Sequence, residues 1–295
     1  MRGIAGASQI PAQVGRCVVT SGVAVRVFIL SSGSTGNALL VEASGQRILI
    51  DAGVGPRQAA DRMRSLGRDL FPRGVDAIVL THHHGDHIGH VEPLARACRA
   101  PVYMHRGISA SRVRNRWDVR EYGAHAPFRV GALEVSAHFV PHDAPQVALR
   151  VTSAEGARFA IATDLGHVPP GLPAFLGVCD AALVEANYCP ELLAVGPYPR
   201  HLQQRIRGGL GHLANEQTAD LASQLVGSRL ARLYLGHISR SNNTPERALA
   251  VVAPRCVGFE VQAVAHGIPH VLDVVRGTRK STRFEQLGFG FDAHA

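Results

Sequence analysis

Short apolar runs recur along this chain, and several of them stop at a histidine or an aspartate. Val23–Leu30 (V-A-V-R-V-F-I-L) has the length and branched side chains of a buried strand. Ser31–Asn37 (S-S-G-S-T-G-N) reads as a turn or loop by composition. Ala38–Ala43 and Arg47–Ile50 follow as strands joined by a tight turn at Ser44-Gly45, and the second runs into Asp51-Ala52-Gly53. Arg57–Leu66 predicts a helix, Val75–Leu80 a strand, His90–Arg99 a helix and Val102–His105 a strand. Ala132–Val140, Val147–Thr152, Arg158–Thr163 and Ala181–Glu185 continue the strand series. Pro199–Arg207, Glu216–Val226 and Pro245–Val252 predict helices, the second with Asn215 as its N-cap. Leu230–Leu235 is a strand, and Val261–Ala265 is read as the last one. Four strands thus deliver a metal-ligand residue at their C-terminal ends, near His82, His142, Asp164 and His237. Ligands gathered at strand ends along one edge are how a layered α/β protein builds a site.

Composition fits one such domain. The chain has 295 residues, of which 46% are apolar and 5% aromatic, so Val, Leu, Ile and Ala do most of the packing. We expect a flexible leader over residues 1–22, a hydrolase domain over 23–272 and a basic tail over 273–295 carrying Arg276, Arg279, Lys280 and Arg283. The net charge is +8, and every basic residue except Lys280 is an arginine, the better bidentate partner for phosphate. Five cysteines at irregular spacing form neither a CxxC pair nor a disulfide framework, which points to a reducing, cytoplasmic setting. No run of 18 apolar residues exists to span a membrane.

The chemistry concentrates in Thr81-His82-His83-His84-Gly85-Asp86-His87. His82 and His84 are two apart and point the same way in an extended loop, whereas His83 faces away and is read as structural. Gly85 permits the bend that precedes Asp86 and His87. One ion can take His82 and His84 and a second Asp86 and His87, each needing ligands from elsewhere. His142, at a strand end beside Asp143, is preferred to His138 for this purpose. His266 and His270 read as surface or supporting groups, and His105 and His125 as ordinary loop residues.

The string resembles the T-H-x-H-x-D-H signature of the metallo-β-lactamase superfamily. Leu49-Ile50-Asp51-Ala52-Gly53, Pro141-His142-Asp143-Ala144, Ala162-Thr163-Asp164-Leu165-Gly166 and Leu235-Gly236-His237 resemble its other motifs, in order. The resemblance implies an α/β layered fold, the αβ/βα sandwich with a dinuclear metal site at one edge. It implies His82, His84 and His142 on one divalent ion, Asp86, His87 and His237 on the other, and Asp164 bridging, with Asp51 supporting the loop. His90 departs from the signature, which continues there to glycine. An aspartate rather than a thiolate bridge suits Zn, Mn or Fe. The best-known zinc lactamases carry cysteine at that place, which argues against that activity here.

Further segments bear on substrate. Ser31–Asn37 offers hydroxyls and backbone N–H groups, among them Ser32, Ser34 and Asn37, that can cradle phosphate oxygens. Arg200, Arg205 and Arg207 make a basic helical segment suited to a phosphate backbone. Together with Glu185-Ala186-Asn187, Gly196-Pro197-Tyr198-Pro199, Gly211-His212-Leu213 and His237–Pro245, which includes Asn242 and Asn243, these segments resemble the WalJ (YycJ)-type branch of the superfamily. That branch implies an exonuclease-like phosphodiesterase attacking nucleic acid, DNA before RNA, with a hydroxide held between the metals. Substrate contacts then fall to Ser32, Ser34, Asn37, Asn187, Arg200, Asn242 and Asn243. His212 is expected as a proton donor or phosphate contact, and Asp86 as the group that orients the hydroxide. Tyr188-Cys189 stands where the branch has His-Asp. A thioester or lactone hydrolase is the alternative, since the same hydroxide attacks carbonyls. A metal-stabilised binding module without turnover is disfavoured by the complete ligand set.

Overall fold

The computed structural model describes residues 22–108, 117–124 and 126–277. Residues 1–21 of the expected leader, His125 and residues 278–295 of the expected tail lie outside them. The described strands form two seven-stranded sheets. The first holds β1 (Val23–Ser31), β2 (Ala38–Ala43), β3 (Gln46–Ile50), β4 (Ala77–Leu80), β5 (Val102–His105), β6 (Val119–Tyr122) and β14 (His270–Val275), in the order β14-β1-β2-β3-β4-β5-β6. The second holds β7 (Phe128–Val130), β8 (Leu133–Val140), β9 (Gln146–Thr152), β10 (Arg158–Ala162), β11 (Ala181–Glu185), β12 (Arg232–Gly236) and β13 (Glu260–Ala263), in the order β13-β12-β11-β10-β9-β8-β7.

Side-chain alternation explains the layering. In β1, Val25, Val27 and Ile29 enter the core shared with Leu149, Phe159 and Leu183 of the other sheet. Phe28 and Leu30, one residue out of phase, enter a second core under α1 (Pro56–Ser65) and α3 (Val91–Cys98), against Met63 and Leu94. Both faces of the strand are therefore apolar, which is why it reads as a continuous hydrophobic run. Burying each such Val, Leu, Ile or Phe contributes about 1.5–3 kcal/mol. On the second sheet, α4 (Leu172–Gly177), α7 (Asn215–Gln224) and α8 (Pro245–Val252) cover Ala160, Ala182 and Leu233. The short α2 (Gly85–Ile88) follows the histidine loop. Helices α5 (Pro190–Val195) and α6 (Arg200–Arg207) stand apart on a small cluster of Tyr188, Leu193, Ile206 and Ala214.

The parallel strands β3-β4-β5-β6 and β10-β11-β12-β13 end at the edge where the ligands collect. Such carboxyl ends are where open α/β sheets place their sites. Three sequence expectations are corrected. Val261–Ala265 does not end the sheet series, because β14 follows and pairs antiparallel with β1 up to Val275, past the expected boundary at residue 272. Asn215 is not the N-cap of α7. Ala214 holds that place, its N–H bonded to Gln217 Oε1, while Asn215 is buried against Asn243. The segment read as a helix from His90 starts at Val91. Among the described residues no helix is long and apolar enough to cross a membrane.

Candidate metal centre

Three of the strand ends turn into the site through residues with positive φ that are not glycine: Asp51 (60°), Asp164 (60°) and His237 (50°). Each such residue costs on the order of 1–3 kcal/mol, so the surroundings must hold it. They do so by hydrogen bonds. Asp51 N–H donates to Val79 O at 2.9 Å, Asp164 N–H to Glu185 Oε2 at 3.0 Å, and His237 N–H to Ser32 Oγ at 2.8 Å.

Asp51 is buried beneath the histidine loop. Its carboxylate accepts the Thr81 N–H at 2.8 Å, the Thr81 hydroxyl at 2.9 Å and His87 Nδ1 at 2.7 Å. The loop also leans on Gly53, where any Cβ would stand 1.9 Å from Asp86 O and 2.4 Å from Asn37 N. Only glycine lets these backbones meet, and the Asn37 N–H to Asp86 O bond of 2.7 Å forms there.

Every histidine of the cluster has one ring nitrogen tied to the protein and the other turned to its neighbours. His82 Nδ1 donates to Thr81 Oγ1 at 3.1 Å. His84 Nε2 faces Asp143 Oδ1 at 3.2 Å, and His142 Nδ1 donates to Gly211 O at 3.2 Å. His87 Nδ1 is held by Asp51, and His237 Nδ1 lies 3.3 Å from Glu185 Oε2. The opposite nitrogens converge. His142 Nε2 is 3.2 Å from His84 Nδ1, and His87 Nε2 is 3.3 Å from Asp164 Oδ2 and 3.6 Å from Asp86 Oδ2. His237 Nε2 is 3.6 Å from Asp164 Oδ1.

This is the arrangement of metal-binding imidazoles, each oriented by an outer partner. Among the described residues, His82 Nε2 and His237 Nε2 are buried with no hydrogen-bond partner, and Asp164 Oδ2 has none of good geometry. Orphaned buried groups of this kind are costly unless something else completes them. Donor atoms of His82, His84 and His142 lie within 4.8 Å of one another, as do those of Asp86, His87 and His237, and those of His82, His87 and Asp164. Nitrogen and carboxylate donors so grouped fit divalent metal. At His82 and Asp164 the electrostatics agree. Burial and the neighbouring His87 hold His82 far below its ordinary value, so its ring is neutral. Burial opposes ionisation of Asp164, but His237 and His87 outweigh it and keep the carboxylate charged.

Behind these groups lies Glu185, fully buried. Its carboxylate accepts the N–H groups of Asp164 (3.0 Å), Leu165 (2.6 Å) and Leu213 (3.0 Å) and faces the Nδ1 atoms of His212 (3.2 Å) and His237 (3.3 Å). Burial alone would lower the His212 pKa, but the Glu185 hydrogen bond and charge raise it to about 9. Neither Glu185 nor Asp143 was singled out from sequence as a site residue.

The expected substrate contacts divide. Ser34, Asn187 and His212 line a cavity of about 300 Å³ over the clustered imidazoles and carboxylates. Ser32 and Asn37 are buried supports instead: Ser32 Oγ caps His237, and Asn37 Nδ2 lies 2.9 Å from His87 Nε2 and 3.3 Å from Asp86 Oδ2. Asn242 and Asn243 are also buried, and Asn243 ties Ala186 O to Asn215. Arg200 is exposed at the start of α6 and does not border the cavity. Arg205, one turn on, does, and its Nε donates to Asp143 Oδ2 at 2.8 Å. Of the other histidines, His138 stacks on Phe175, His105 is buried against Phe139, and His266 Nε2 contacts Thr35 Oγ1 at 3.1 Å. His83 belongs to none of the donor groups.

Two sheets with helices outside, and clustered imidazoles and carboxylates at the shared strand edge, define an αβ/βα metallohydrolase architecture. The β-lactamase superfamily domain matches residues 46–238, and the chain belongs to that family. It is 32% identical over 237 residues to exodeoxyribonuclease WalJ of Streptococcus pneumoniae serotype 2 (strain D39 / NCTC 7466), covering 77% of this chain and 87% of that one. It is 29% identical over 233 residues to exodeoxyribonuclease YycJ of Bacillus anthracis, covering 75% and 84%. Zn(2+)-bound PqqB from Methylobacterium extorquens shares the fold, with a TM-score of 0.64 at 19% identity over 84% of this chain and 99% of that one.

Proposed function

We propose that this protein is a metal-dependent nuclease that hydrolyses phosphodiesters at the ends of nucleic acid, DNA in preference to RNA. The observation that carries the reading is the set of imidazoles with one nitrogen anchored and the other turned inward, those of His87 and His237 towards Asp164 and those of His84 and His142 towards each other. Two divalent cations are assigned to it: one to His82, His84 and His142, the other to Asp86, His87 and His237, with Asp164 shared. Zn, Mn and Fe all suit these donors. When bound, such cations activate water and neutralise charge on a phosphate. The relatives named exodeoxyribonuclease support DNA as substrate. The four cysteines within the described residues are free, in keeping with a reducing, cytoplasmic setting.

The chain's own groups divide the remaining work. Asp86, held by Asn37, orients the attacking water. His212 donates Nδ1–H to Glu185, so Nε2 is its outward nitrogen, and the Glu185 carboxylate favours its protonated form. It supplies the proton to the departing sugar oxygen. Metal-loaded protein should be assayed on end-labelled double-stranded DNA, single-stranded DNA and RNA, beside a thioester and a lactone, with a His84→Ala, Asp86→Ala double variant as control. Cleavage of DNA that the control lacks is expected. Turnover of the carbonyl substrates alone would overturn the reading.

A further inference from the structure

The cavity over the metal donors has two unlike walls. Its floor is imidazole and carboxylate, whereas one side is built by α6 and the residue before its N-cap: Tyr198, Leu202 and Ile206. Leu202 and Ile206 are four apart and share a face of the helix. Arg205, three after Leu202, projects beside them, while Arg200 and Arg207 are exposed and border no part of this cavity. Tyr198 and Leu202 do pack on a small apolar cluster, but both stay half-buried and keep surface turned to the cavity.

We infer that this face of α6 is the subsite for the terminal nucleoside of the substrate, with the base laid on Tyr198 and Leu202 and the adjoining phosphate met by Arg205. The inference rests on the nuclease reading above. A bare phosphate has no use for an apolar wall, and an apolar ligand has no use for Arg205. A nucleotide needs both, a flat ring to stack and an anion to pair. The volume, about 300 Å³, lies at the small end of ligand cavities and suits one nucleotide unit rather than a paired duplex. An end must therefore unpair before it enters, which costs least at single-stranded or mismatched ends.

The wall is preorganised. At Gly196 any Cβ would stand 2.7 Å from Asn242 Oδ1 and 2.8 Å from Leu192 O, so the G-P-Y-P turn is wedged against the Asn242 segment. Pro199 then caps α6 with φ −64°, which fixes where Tyr198 enters. Asn242 thus supports the base wall rather than touching substrate. Arg205 is aimed by Asp143, whose other oxygen orients His84, so phosphate recognition and the metal donors share one carboxylate. Two of the five guanidinium N–H groups serve Asp143, which leaves donors for a phosphate.

The test uses single-stranded oligonucleotides that carry a tetrahydrofuran abasic residue at the 5′ or the 3′ end, beside an intact strand. Wild-type protein is expected to remove the base-bearing terminal residue on the order of tenfold faster than the abasic one at the end it attacks. Tyr198→Ala should bring the intact strand down to the abasic rate, while Tyr198→Phe keeps the preference. If Tyr198→Ala does not fold, as judged by its melting curve, Leu202→Ala takes its place in the comparison. Arg205→Ala should raise KM for both strands and flatten the dependence on salt. Wild-type protein that cuts intact and abasic ends alike, or Tyr198→Ala that keeps the full preference, overturns the subsite and leaves the nuclease reading standing. Wild-type protein that cuts no strand overturns both.

Discussion

Replacing Glu185 by Gln changes one oxygen to an amide and removes a charge, at a residue that no solvent reaches. The structure allows the amide two orientations, and both are costly. With the NH2 at the Oε1 place it faces the N–H groups of Leu165 and Leu213, which now lack an acceptor. Each orphaned buried donor costs about 1–3 kcal/mol, so the fold loses about 2–6 kcal/mol. With the NH2 at the Oε2 place it faces Asp164 N–H and the Nδ1 atoms of His212 and His237. His237 then accepts at Nδ1 and carries its proton on Nε2, the nitrogen turned to Asp164, where it opposes a cation. Loss of such an outer partner lowers metal affinity by about 10- to 100-fold. Urea unfolding of the metal-free variant measures the first cost, and competition with a chromogenic chelator measures the second. A Glu185→Gln protein with wild-type unfolding free energy and wild-type metal affinity would refute the role assigned to this carboxylate.

Other perturbations follow from the same geometry. Gly53→Ala drives a methyl into Asp86 O and Asn37 N, so it should lose about 3 kcal/mol or more in urea unfolding. His212→Ala should lower kcat by about 10²- to 10⁴-fold while elemental analysis finds metal content unchanged. Burial pushes the Cys179 thiol up to about 12. The thiolate is then a trace at pH 8, so native protein should leave Cys179 unmodified by a thiol reagent that labels it in denaturant, as peptide mapping would show.

Much of the core and of the candidate site was legible because β4, β10 and β12, buried on both faces, write themselves as apolar runs and stop just before His82, Asp164 and His237. Strands β6 (V-R-E-Y) and β7 (F-R-V) were not, since exposed charged residues break the apolar run that marks the equally short β4 and β5. Strand β14 was lost because Asp273 interrupts its apolar residues and pairs with Arg26 of β1, a partner far off in sequence. The arginine of the site was misjudged for want of helix phase. At about 100° per residue, Arg200 lies roughly opposite Leu202, whereas Arg205 lies beside it. The apolar pair Leu202 and Ile206 was the signal for the inward face. Glu185 stood in view within Glu185-Ala186-Asn187, but its role consists of accepting N–H groups from Asp164, Leu165 and Leu213, which only the tertiary fold brings together.

The most direct measurement is elemental analysis of desalted protein after loading with Zn, Mn or Fe, for wild type and for Asp164→Ala. Two divalent ions per wild-type chain, and one or none in the variant, are predicted. A well-folded wild-type chain that retains no stoichiometric metal under any of these loadings would contradict the account.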